Sequence, residues 1–162
     1  MATPRTFRHI ALGAMVLPLA MLAPTSGSTA TETAAADTAV QGRGGNPAST
    51  VDHVADFYGA YTDVLHDVGH GRLSDALRGH YLTPELRSAL ARWEAAHHRD
   101  GVLRAKGVPT QWRVEYNDSG MGHCWTRVTL TWNDPGKHKR TSHVMIQSDL
   151  ATRLISGIRA DE

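Results

Sequence analysis

At Gly107 the hydrophobic period of this chain changes, and that change restricts its fold more than any other feature. Before it, apolar residues recur at helical spacing. The segment STVDHVADFYGAYTDVLHDVGHG puts Val51, Val54, Tyr58, Tyr61, Leu65 and Val68 on one stripe, with Asp52, Asp56, Asp63 and Asp67 largely opposite. Ser49 or Thr50 can cap its start, and Gly69 or Gly71 its end. LSDALRGHYL reads as a short second helix capped by Ser74. TPELRSALARWEAAHHRDG carries the clearest signals: Thr83 at the N-cap, Pro84 in the first turn, Gly101 past the end, and an inner stripe of Leu86, Leu90, Trp93 and His97. After Gly107 the period is two. Trp112, Val114 and Tyr116 alternate with Gln111, Arg113 and Glu115, and Cys124, Val128, Leu130 and Trp132 share one face of HCWTRVTLTW. TSHVMIQSD and ATRLISGIRA supply two further strands, and NDSGMG and NDPGKHK read as hairpin turns, the first turning at Asn117 to Gly120. Three helices followed by a four-stranded antiparallel meander predict an α+β domain whose sheet curls around the helices.

The N-terminus reads differently. Arg5 and Arg8 precede an uncharged apolar run from Ile10 to Ala23, and Ser28-Thr29-Ala30 offers the small residues of a cleavage site. This is the pattern of a secretory signal peptide over residues 1–30, too short to serve as a lasting membrane anchor. Residues 31–49 are small, polar and free of aromatics, the composition of a flexible tether. The domain is expected over residues 50–162, in an extracellular protein. The whole chain has 17 Lys and Arg against 16 Asp and Glu, and removal of Arg5 and Arg8 leaves 15 against 16. A nearly neutral surface argues against nucleic acid as a partner.

Three stretches, FYGAY in the first helix, YLTPEL opening the third and the closing LISGIRAD, resemble the nuclear transport factor 2-like (cystatin-like α+β) superfamily, its small secreted bacterial members above all. The resemblance covers nearly all of the expected domain. It implies a cone, with the three helices in the concavity of the curved sheet, and a cavity at the open end. It also implies that the sheet face is where a homodimer would form. The superfamily contains isomerases, dehydratases and non-catalytic binding modules, so the fold does not choose among them.

Aromatic and polar side chains on the inner stripes supply a candidate ligand site: Tyr58, Tyr61, Trp93, His97, Tyr116 and Trp132. The alternative is that these rings fill the interior completely. Catalysis would need a proton-transfer pair, for which His97 with Asp63, or with Asp149 near the rim, is the weak candidate. Cys124 is the single cysteine, so no internal disulfide can form. It alternates with Val128 and Leu130, which suits a packed thiol. Pairing between molecules and a chemical role remain as other readings, and the neighbouring His123 points to the opposite face. His66 and His70 have a spacing of four but no third ligand, and His97 and His98 diverge around a helix, so no metal site and no cofactor is expected. The expected function is that of a secreted, non-catalytic domain binding a small ligand or a protein. An isomerase- or hydrolase-like enzyme built on His97 is the alternative.

Overall fold

The computed structural model describes residues 44–133 and 138–161. The expected signal peptide, the tether up to residue 43 and part of the NDPGKHK turn lie outside the described residues. Three helices, α1 (Thr50–Asp67), α2 (Arg72–Tyr81) and α3 (Pro84–His97), are followed by β1 (Gln111–Gly120), β2 (His123–Trp132), β3 (Arg140–Asp149) and β4 (Ile155–Asp161). The strands form one antiparallel sheet in the order β1-β2-β3-β4. The chain is α+β with three helices and an open four-stranded antiparallel sheet.

The helices begin where short polar side chains satisfy their free amides. Ser49 Oγ accepts from Asp52 N at 3.2 Å, and Thr83 Oγ1 accepts from Leu86 N at 3.2 Å with Pro84 next in line. Asn46 to Ser49, expected in the tether, instead form a turn in which Asn46 N donates to Asp52 Oδ2 at 2.7 Å. Ser74 is not the cap of α2. The helix starts three residues earlier, at Gly71, and the Ser74 hydroxyl accepts from Gly71 N at 2.9 Å and donates to Gly71 O. Gly101 lies past the end of α3, as expected, but it is not the residue that caps it. His98 takes the left-handed position, at φ 53°, and its N–H donates to Glu94 O.

One core joins the inner stripes of the helices to one face of the sheet. Val54, Phe57, Tyr58, Tyr61, Leu82 and Leu90 pack with Val128, Leu130, Val144, Ile146 and Ile155. Phe57 escaped the stripe read from the sequence, whereas Val68 is exposed beyond the end of α1. The connection from α3 to β1 enters the interior as well: Val102 and Leu103 are fully buried. The α2–α3 connection is pinned to β4 through Thr83 N, which donates to Ile155 O at 2.9 Å.

The first hairpin differs from its expected form. Pairing continues to Gly120–His123, with an irregularity between Tyr116 and Asp118, so Asn117 to Gly120 belong to the strand. The turn is Met121-Gly122, both at positive φ (52° and 79°), as a two-residue hairpin of the primed type requires. The sequence motif was read correctly as a turn but three residues early.

A polar cleft beside the α3–β1 loop as the candidate functional site

The six side chains proposed as one ligand site are not brought together. Tyr58 is buried, and its hydroxyl donates to Val102 O at 3.1 Å. Trp132 is buried under the Arg140 guanidinium, 4.1 Å from the ring centroid. Both are packed core, as the filled-interior alternative expects. Two residues on the predicted inner stripes point elsewhere. His97 is exposed, with Nδ1 2.8 Å from Trp93 O and its ring stacked on the Trp93 indole at 4.2 Å. The helical period was right, but Val102 and Leu103 occupy the interior beyond Leu90, and the last turn of α3 lies outside it. Tyr116 is 58% exposed, because every β1 residue beyond Val114 is exposed on this edge strand. The Tyr116 hydroxyl lies 2.9 Å from Ser119 Oγ.

The catalytic pairing is not assembled either. Asp63 is exposed and lines a groove of about 800 Å³ with His66, Trp112 and Lys139, and His97 is not part of that groove. Asp149 accepts from Thr152 N and Oγ1 (2.7 and 2.9 Å) and so closes the β3–β4 turn. Cys124 is 3% exposed, paired in register with Ser148, and burial raises its thiol pKa. No cluster of three or more metal-ligating side chains occurs among the described residues.

Tyr61 leads to the arrangement that the sequence did not disclose. Gly69, at φ 74°, ends α1, and His70 follows between two glycines, Gly69 and Gly71. Arg78 on α2 and Glu94 on α3 face each other, and the loop after α3 folds Asp100 under both. Asp100 is held by its own turn: Oδ1 accepts from Leu103 N at 2.7 Å, and its N–H donates to Ala105 O. Asp100 Oδ2 accepts from the Tyr61 hydroxyl at 2.7 Å and from Arg78 Nη2 at 3.2 Å. Arg78 donates to both oxygens of Glu94 (3.0 and 2.7 Å) and, through Nε, to the Tyr61 hydroxyl at 2.9 Å. Glu94 Oε1 also accepts from Gly101 N at 2.7 Å, and a Cβ at residue 101 would meet that oxygen at 2.9 Å. A larger residue there would have to displace the Glu94 carboxylate from this arrangement.

These groups are scarcely hydrated: the Asp100 side chain is 4% exposed, Arg78 14% and Glu94 25%. Burial alone would destabilise each charge. For Arg78 burial acts to lower the pKa, but the hydrogen bonds to Glu94 and Tyr61 and the charge of Asp100 outweigh it and hold the pKa raised. For Glu94 burial acts to raise it, and the bonds from Arg78 and Gly101 N prevail and lower it. Burial, then the charge of Asp100, pushes the Tyr61 hydroxyl far above its usual value, so it stays protonated. Arg78, Glu94 and Asp100 form the floor of a cleft of about 640 Å³, with the Tyr61 hydroxyl buried behind them, and the cleft is rimmed by His70, Asp75, His98, Arg99 and Lys106. His70 Nε2 lies 3.6 Å from Asp100 Oδ2, with its side chain 63% exposed at the mouth. Chemically this is a rigid, internally satisfied polar floor under a rim carrying both signs of charge. Its one sequence signal is Asp100 beside an apolar Gly-Val-Leu run, a carboxylate where the chain should turn inward.

No family model matches the sequence, and no curated protein does. A similar solved structure is a protein of unknown function from Bacteroides thetaiotaomicron, 20% identical, with a TM-score of 0.55. The match covers 68% of this chain and 88% of that one. At this identity the likeness speaks for the fold alone.

Proposed function

We propose that this chain is an exported, non-catalytic binding domain of the nuclear transport factor 2-like type, its helices seated in the concavity of a curved sheet, and that it binds through the polar cleft rather than through the interior. The observation that carries the reading is the floor of Arg78, Glu94 and Asp100, backed by the buried Tyr61, beneath an accessible cleft. A floor whose hydrogen bonds are already made costs little to organise when a ligand arrives. The same feature favours binding over turnover, because Asp100 and Glu94 are held by protein donors and none of the four groups is poised as a free base. The ligand is a small molecule, or a side chain presented by a protein partner, carrying polar groups for the rim. Dimerisation through the sheet face belongs to the same proposal and is read by the size of the mature protein in solution.

The test is native mass spectrometry on protein collected outside the cells. The expected result is an N-terminus between Thr31 and Asp37 and a bound mass that disappears in Lys106→Glu, a rim change that leaves the floor intact. An N-terminus at Met1 refutes the export reading. A bound mass unchanged by Lys106→Glu, or no bound species, refutes the cleft.

A further inference from the structure

A third cavity, of about 390 Å³, is lined by Trp93, Arg99, Arg104, Arg159 and Ala160. Arg99 also lines the cleft described above. The side-chain polar groups of this lining are guanidinium and indole N–H, which only donate. No carboxylate lines the cavity. Among the described residues the ion-pairing acids are committed elsewhere: Glu94 and Asp100 to Arg78, and Asp161 to Arg127 at 2.7 Å. Arg99, Arg104 and Arg159 thus line one cavity with no ion pair within 4 Å among the described residues, although Glu94 and Asp100 act on Arg104 from farther away.

Arg104 is fixed in place. Its guanidinium lies over the Trp93 ring, 4.4 Å from the centroid, and Nη2 donates to Ile158 O. Its Nε is buried and has no hydrogen-bond partner. Three guanidinium groups lining one cavity call for an acceptor that is also an anion. Burial lowers the Arg104 pKa, and Tyr58, Glu94 and Asp100 offset that only in part.

We propose that this cavity is an anion site that takes a tetrahedral oxyanion, the phosphoryl or sulfuryl group of a small molecule. Guanidinium forks match the oxygen pairs of such a group, and three of them match a dianion better than the single charge of a carboxylate. The volume exceeds that of the oxyanion alone and leaves room for the rest of a small ligand. The site shares Arg99 with the cleft but does not need the cleft to bind anything.

Inorganic phosphate, sulfate and acetate are titrated into the full chain at low ionic strength. Isothermal calorimetry follows heat, and the Trp93 indole N–H is followed by NMR. Saturable binding of phosphate and of sulfate, with a Trp93 shift and weaker binding of acetate, is expected. Phosphate binding without sulfate binding assigns the site to phosphoryl groups, and the converse to sulfuryl groups. Arg99→Gln and Arg159→Gln, both at exposed positions, should each weaken binding by about tenfold, the loss expected for one charge-assisted hydrogen bond. Unchanged circular dichroism and melting in these variants separates a binding defect from a folding defect. Non-saturating titrations, or affinities unchanged in both variants, overturn the proposal.

Discussion

Replacing Arg78 by methionine removes five hydrogen bonds, two to Tyr61, two to Glu94 and one to Asp100, while filling much of the same volume. The two acids then respond differently. Glu94, 25% exposed and still bonded to Gly101 N, regains water. Asp100, 4% exposed, keeps Tyr61 and Leu103 N but has lost its only guanidinium. Breaking a buried pair by removing one partner costs about 3–5 kcal/mol, against at most about 1 kcal/mol for a surface pair. The rehydration of Glu94 places Arg78→Met near the lower end, about 3 kcal/mol. A domain of this size has about 5–15 kcal/mol in all, so the variant should still fold. Urea unfolding followed by circular dichroism should show a lower midpoint with an unchanged slope. Asp100→Asn placed on Arg78→Met should recover part of the loss, because it removes the stranded charge, giving a non-additive cycle. A loss below about 1 kcal/mol, within the range of a surface pair, refutes the claim that this network is a buried floor.

Three further outcomes follow from particular residues. Cys124→Ser should lower stability by about 1–3 kcal/mol, since it places a hydroxyl in a buried site, and a thiol reagent should label Cys124 slowly until denaturant is added; immediate labelling of native protein contradicts this. Met121→Asn should raise stability by about 0.5–1 kcal/mol, because Met121 sits at φ 52°, is 97% exposed, and would become the favoured Asn-Gly turn; an unchanged unfolding midpoint refutes it. His53 has a lowered pKa, first through burial and then through the charges of Arg153 and His80. Its neutral form is thus favoured in the fold, so the associated stability is full above about 6.5 and is lost as pH falls from there through the lowered value. His53→Gln should flatten that part of a stability–pH curve, and an unchanged slope assigns the dependence to other groups.

The elements of this protein were legible because local rules set them. The helix caps at Ser49 and Thr83, the alternation of Cys124, Val128 and Leu130, and the turn signal in NDSGMG depend on neighbours a few residues away. Errors appeared wherever a local pattern needed a distant partner. His97 keeps the helical period of Leu86 and Leu90, yet whether it is buried depends on a loop that returns to fill the interior with Val102 and Leu103. Tyr116 lies on the same face of β1 as Val114, but burial of that face ends where the edge strand runs past its cover. The cleft was the least legible feature. Tyr61, Arg78, Glu94 and Asp100 come from three helices and a loop, and the Tyr61 and Asp100 side chains meet across 39 residues of chain. Periodicity shows which side chains point inward; it carries no information on which of them meet. That is decided when the chain packs, because a buried charge is stable only where the fold brings its partners to it.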